Sequence, residues 1–238
     1  MNSDEKFESL DPENWEEMGE LAHRMVDDMM DYVSSARERP VWTPVPTDVA
    51  AQMDKPAPLK PEGPEAVYQQ FLANVLPYNL HTNHPRFWAW YMGSGTVMGA
   101  LADFLAASLN PNCGGINHVA PLVEQQVLDW IIEMIGFPED SSGLLTSGAS
   151  MANFTALTVA RNTHAGFDVR REGMLEAPGP LTVYASTEIH SCNQKAIETL
   201  GMGSAGLRHV PVKQDFTLDL EALDRQVAAD RDAGMVPL

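Results

Sequence analysis

The chain has 238 residues, 44% hydrophobic and 20% charged, which is ordinary globular composition and excludes a wholly disordered chain, a collagen-like repeat or a disulfide-stapled miniprotein. Fifteen basic against 33 acidic residues give a net charge of −18, a field that repels phosphate backbones and anionic lipid, so neither nucleic acid nor a membrane surface is an expected partner. Two cysteines, Cys113 and Cys192, without CxxC pairing suit a reducing compartment, and the acidic N-terminus lacks the basic flank and apolar run of a signal peptide. The expected location is the cytoplasm.

In chain order, the first predicted element is a helix entered at Asp11-Pro12-Glu13, with Asp11 as cap and Pro12 in the first turn. Trp15, Met18, Ala22, Met25, Met29 and Tyr32 recur at helical spacing and form an apolar stripe opposite an acidic face. Such a stripe buries itself either on the rest of the chain or on a partner subunit. Seven prolines between Pro40 and Pro64 then predict an extended strap, and a short helix follows over Ala66–Leu76, ended by Pro77.

From Leu80 onward the pattern is α/β. Helices are predicted over Gly95–Leu109 and Pro121–Ile135, then a short strand at Gly143–Thr146 and a helix from Ser150 to His164. Strands at Leu181–Ala185 and Leu207–Val212 alternate with helices at Ser191–Leu200 and Leu218–Gly234. Alternation of this kind implies crossover units and a mainly parallel sheet. Met235–Leu238 reads as the onset of a further buried strand, so the α/β domain is expected to be incomplete at its C-terminus.

Three segments carry candidate chemistry. In Leu144–Asn153 a strand runs through small residues directly into a helix, and free amides at Ala149 and Ser150, with the Ser150 hydroxyl, suit a phosphate; a plain strand–helix turn capped by serine fits the same pattern. In Tyr184–Cys192 a strand delivers a loop, and His190 stands where the next helix begins, suited to stacking on an aromatic cofactor or to acid–base work, or to a structural role. In His84–Gly95 an aromatic run ends in a glycine turn, which suits an apolar pocket or an aromatic core strand, with Asn117, His118 and Glu124 as polar lining beyond it. Rival signals are weaker. Gly93–Gly99 has GxGxxxG spacing rather than the dinucleotide fingerprint, His81 and His84 lack a third metal ligand at sensible spacing, and TSGAS is not GxSxG.

Together HPRFWAWY (84–91), PLVEQQVLDWIIEMIGFP (121–138), LLTSGASMANFTAL (144–157) and VYASTEIHSC (183–192) resemble, in order and spacing, the pyridoxal-phosphate-dependent group II decarboxylases of the aromatic-L-amino-acid decarboxylase kind. The resemblance covers roughly Ala66 to Leu238. It implies the N-terminal part of a fold type I (aspartate-aminotransferase-like) large domain. Residues 1–64 would form a dimer-docking helix and strap, and 65–238 the incomplete cofactor-binding domain.

It further implies a homodimer, or completion by a companion C-terminal half, and an amino-acid substrate, aromatic by the pocket's lining. Pyridoxal 5'-phosphate would be held by Ala149, Ser150, Asn153 and His190, with His190 stacking on its ring. Trp90, Tyr91, Met92 and His118 would line the substrate pocket, and no metal is implied. The reaction implied is release of CO2 from the amino acid, with aldehyde formation or transamination as alternatives. The departure from the family is large: the Schiff-base lysine, the aspartate facing the pyridine nitrogen and the loop that closes over substrate lie in a half that this sequence lacks. Lys6, Lys55, Lys60, Lys195 and Lys213 are the only lysines, none in the family's His-Lys context. The 238 residues alone are therefore expected to be inactive, and a non-catalytic interaction fragment is the reading from outside enzymology.

Overall fold

The computed structural model describes residues 11–238. These divide into two compact units, one ending at Asn112 and the other running from Cys113 to Leu238.

In the first unit, α1 spans Trp15–Ser34. Its cap is Asn14, whose side-chain oxygen accepts from the amides of Glu16 and Glu17, so the predicted entry at Asp11 moves three residues along. Leu21 is the buried residue of α1, whereas Trp15 is 70% exposed. The Pro-rich strap is not extended throughout: the nine proline-free residues after Pro46 allow α2, Thr47–Met53, with Val49 buried. Helix α3 spans Pro64–Asn74 with its proline in the first turn, and a 3-10 turn at Leu76–Tyr78 carries Pro77. Helix α4, Val97–Leu109, starts where the Thr96 hydroxyl accepts from the Gly99 amide and stops at left-handed Asn110. Met25, Met29 and Val33 of α1 and Val97, Leu101 and Phe104 of α4 line an apolar groove of about 280 Å3.

In the second unit, α5 spans Ala120–Ile135 and closes on Gly136 at φ +71°, a left-handed conformation that glycine adopts without a steric cost. Leu128 is its buried residue. The strand predicted at Gly143–Thr146 does not form. The Leu145 amide donates to the Glu124 carboxylate at 3.1 Å rather than to a neighbouring strand. Helix α6 (Ala149–His164) is followed by the short α7 (Val169–Glu172), β1 (Leu181–Ser186), α8 (Ser191–Thr199), β2 (Leu207–Val210), α9 (Leu220–Asp232) and β3 (Val236–Pro237).

The strands form a parallel sheet in the order β2-β1-β3, with Val183 opposite Leu207 and Leu181 opposite Val236. Ala165, Val169 and Leu181 make the core beside β1, joined by Phe167, Met174, Met202, Val236 and Leu238. The entry to β1 touches the turn into β3 so closely that a β-carbon on Gly179 would lie 2.2 Å from the Gly234 carbonyl oxygen.

Polar side chains lock the same sheet from the direction of α9. Asp230, 4% exposed, accepts from Arg208 Nε at 2.9 Å, from the Tyr184 hydroxyl at 2.7 Å and from Gln226 at 3.1 Å. The Arg208 bond holds the Asp230 carboxyl below the usual carboxylate range against the opposing effect of burial. Among the described residues no helix is long and apolar enough to cross a membrane.

Candidate active site

In the second unit the segment after Glu124's contact with Leu145 turns into α6 through Thr146, whose hydroxyl donates to the Gly148 carbonyl at 3.1 Å. That carbonyl also accepts from the Met151 and Ala152 amides. The amides of Ala149 and Ser150 precede the first intrahelical bond, so they stay available at the positive end of a sixteen-residue helix. A β-carbon built on Gly148 meets no atom within 4 Å, so the mouth of the helix is open to an incoming group.

Strand β1 delivers the second part. The Ile189 amide donates to Ser186 and the Thr187 amide to Val210 at the end of β2, fixing the turn that ends in His190. His190 caps α8: its Nδ1 accepts from the Cys192 amide at 3.2 Å. In the neutral ring the proton is thereby assigned to Nε2, and the imidazole is exposed.

Two bonds set α6 and α8 side by side. Asn153 Nδ2 donates to the buried Cys192 sulfur at 3.4 Å, and Arg161 Nη1 donates to the Leu200 carbonyl at 2.8 Å. Ser150, Met151, Phe154, Cys192, Lys195 and Thr199 line the open cleft between the helices, of about 290 Å3. Ala149, Ser150, Asn153 and His190 thus belong to the starts of two helices, tied at those starts by Asn153 and Cys192 and at their far ends by Arg161 and Leu200. Asn153 reaches Cys192, a tie between the helices that sequence reasoning missed because the two residues lie 39 apart.

Trp90, Tyr91 and Met92 belong to the first unit. They lie on an exposed irregular loop rather than a strand, with the Trp90 ring tilted against Phe87 at 6.5 Å between centroids. His118, in the second unit, accepts through Nδ1 from the Ala120 amide at 3.4 Å and so holds the start of α5.

Free first-turn amides, a small-residue turn and an exposed imidazole face fit a phosphorylated aromatic cofactor, since such amides and a hydroxyl beside them can hold an oxyanion and an imidazole can lie flat on a ring.

Comparison with known proteins places the chain in a family. The chain is 29% identical over 225 residues to an aromatic-L-amino-acid decarboxylase of Bacillus atrophaeus, covering 93% of this chain and 45% of that protein. It is 30% identical over 241 residues to a phenylacetaldehyde synthase of Petunia hybrida, covering 96% and 46%. A crystal structure of Oryza sativa TDC with PLP superposes with a TM-score of 0.80 at 25% identity, covering 96% of this chain and 51% of that one. The fold is accordingly the N-terminal part of fold type I, and the chain spans about half the length of the curated relatives it matches. A model of the pyridoxal-dependent decarboxylase conserved domain matches residues 46–238, and the chain belongs to that family, whose cofactor is pyridoxal phosphate.

Proposed function

We propose that this chain supplies the phosphate-holding and ring-stacking side of the active site of an amino-acid decarboxylase, a carboxy-lyase acting on an aromatic L-amino acid. The observation that carries the reading is the joining of the α6 and α8 starts through Asn153 and Cys192, which sets the Ser150 turn and His190 at one end of a helix pair. The Ala149 and Ser150 amides and the Ser150 hydroxyl hold the phosphate, and Asn153 keeps the two helices in register. His190 stacks on the ring, with its Nε2 proton facing away from the bond that fixes Nδ1. Bound there, pyridoxal phosphate supplies an electron sink that lets the amino acid lose its carboxylate as CO2.

Trp90, Tyr91 and Met92 contribute an apolar wall for the substrate side chain, and His118 a polar edge. Residues 1–64 act as the docking segment of a homodimer, a role supported by the apolar groove of α1 and α4, and 65–238 as the first part of the cofactor domain. The working location is the cytoplasm. None of the five lysines stands in the family's His-Lys setting, so the Schiff-base lysine belongs to a companion half or a longer polypeptide, and the 238 residues alone do not turn over substrate. Aldehyde formation is the second reading, favoured by a phenylacetaldehyde synthase matching about as well as the decarboxylase.

The test is titration of pyridoxal phosphate into the purified chain, followed by protein fluorescence, with intact-mass analysis after borohydride reduction. Ser150→Ala removes one hydrogen bond to a charged group and raises the dissociation constant about tenfold. His190→Ala weakens binding as well, through lost stacking. Unchanged affinity in both variants overturns the site assignment. A stoichiometric reduced adduct on Lys195 overturns the placement of the lysine outside this chain.

A further inference from the structure

The first unit holds a cluster of cationic and imidazole side chains that the proposed chemistry does not use. The Tyr32 hydroxyl, near the end of α1, shares a hydrogen bond of 2.6 Å with Nδ1 of His81, which is 3% exposed. The Arg39 guanidinium lies 3.8 Å from the centroid of the Tyr32 ring, and its Nη1 donates to the Ser35 hydroxyl at 2.8 Å. Arg39 Nε and Nη2 are buried without an acceptor, and no ion pair to Arg39 is found among the described residues. His84, 4% exposed, accepts through Nδ1 from the Arg86 amide at 3.0 Å, so its neutral ring carries the proton on Nε2, which is also buried and unpartnered. Two buried imidazoles, His81 and His84, and the Arg39 guanidinium thus share one cluster with three donors that lack acceptors.

The same residues hold the aromatic loop. The His84 amide donates to the His81 carbonyl at 3.0 Å, the Phe87 amide to the His84 carbonyl at 2.9 Å, and the Phe87 ring rests against Trp90. A continuous path therefore runs from α1 through Tyr32, His81 and His84 to Phe87 and Trp90.

We propose that Tyr32, Arg39, His81 and His84 form a proton-sensitive latch that fixes the Trp88–Met92 loop to α1 while His81 is neutral and frees the loop when His81 is protonated. The groups that face His81 are Tyr32 from α1, Arg39 from the segment after it and His84 from its own turn. Burial, then Arg39 and then His84 hold the His81 pKa below the ordinary histidine value. The hydrogen bond to Tyr32 survives protonation, since Nδ1–H then donates to the hydroxyl oxygen. What changes is that a second cation is enclosed beside Arg39 with unpaired donors around it, and opening the loop returns that cation to water. Because the proton binds more tightly in the open state, the latch weakens as pH falls from the ordinary histidine value toward the lowered one. The consequence for substrate rests on reading this loop as a pocket wall, but the latch itself is tested without cofactor or substrate.

The test follows the full chain labelled with 5-fluorotryptophan by 19F NMR against pH, with the Trp90 signal assigned through Trp90→Phe. His81 is followed in parallel by imidazole 15N shifts. The Trp90 signal shifts and sharpens with the His81 midpoint, and Arg39→Gln moves both midpoints upward together. Tyr32→Phe, which keeps the ring under Arg39, uncouples them: His81 still titrates, and the Trp90 step is lost. A Trp90 signal that stays constant through the His81 midpoint, or that fails to follow it in Arg39→Gln, overturns the latch. Loss of cofactor binding in the preceding titration would leave this result untouched.

Discussion

Asp230 is the residue whose removal should most disturb the sheet that delivers His190. Its Oδ2 takes the Arg208 Nε–H and the Tyr184 hydroxyl, so Asp230→Ala removes the carboxylate that pairs the guanidinium and leaves the phenol only its bond with Thr182. Breaking a buried ion pair from one side costs about 3–5 kcal/mol. Arg208 keeps 23% side-chain exposure and can recruit water, which places the expected loss near the lower end, about 3 kcal/mol. With a urea slope of about 2 kcal/mol/M, the midpoint followed by circular dichroism falls by about 1.5 M. Replacing both partners by apolar residues, Asp230→Leu with Arg208→Met, restores most of that loss because no charge is left stranded.

The same argument fixes a pH dependence. Asp230's pKa is depressed in the folded chain, chiefly by the Arg208 hydrogen bond. Its contribution is therefore complete above the unfolded carboxyl value of about 3.9 and disappears as pH falls through the folded one. The gap between wild type and Asp230→Ala narrows over that acid range. A midpoint loss under about 0.5 M at neutral pH, or a gap that widens in acid, would refute the reasoning.

Two further outcomes are open to simple measurement. Phe216 sits at φ +63° in an exposed turn, so Phe216→Gly relieves left-handed strain with little packing lost and should stabilise by about 0.5–1 kcal/mol; a lower melting temperature contradicts this. Burial, then the Asp28 hydrogen bond and charge, push the Tyr68 pKa up to about 12, and its hydroxyl donates to Asp28 at 2.6 Å. That contribution is complete below the unfolded tyrosine value of about 10 and is lost as pH rises through the folded one. Tyr68→Phe should remove a late step from the alkaline ultraviolet titration and cost about 1 kcal/mol at neutral pH, while an unchanged titration excludes the assignment.

Much of the fold was legible because its signals are local. Gly136 after α5 marks a helix end by a property of one residue, and the Thr96 and Asp219 caps of α4 and α9 lie one residue from the predicted starts at Gly95 and Leu218, whereas α3 begins at Pro64, two residues ahead of the predicted Ala66. The alternation of β1, α8, β2, α9 and β3 was readable as a parallel sheet, and the family as four motifs in order. Errors arose where two local answers compete. Asp11 and Asn14 are both good caps, and Asn14 prevails by accepting from two amides. The Pro-rich strap hid α2 because its prolines flank the proline-free run that forms the helix without entering it. Leu144 and Leu145 have the residue types of a strand, but an extended segment becomes a strand only by pairing, and the Leu145 amide is held by Glu124 instead.

What could not be read is polar and distant. Asp230 lies 22 residues from Arg208 and 46 from Tyr184, and His81 lies 49 from Tyr32; no periodicity encodes such pairs, since each residue is polar on an otherwise ordinary element. The candidate site shows the same division. Small residues at Gly148–Ser150 and the histidine opening α8 declare themselves locally, as chemistry that needs a particular backbone. Their alignment depends on Asn153 meeting Cys192, a contact that only the packed helices create. The Asp230 cluster and the Asn153–Cys192 contact act on the positions of β1 and α8 in the second unit, and the Tyr32–His81 pair acts on the segment that carries the aromatic loop in the first, and the sequence declares none of them. Substituting Asp230 or Tyr32 therefore tests positioning separately from Ser150 and His190, which test binding.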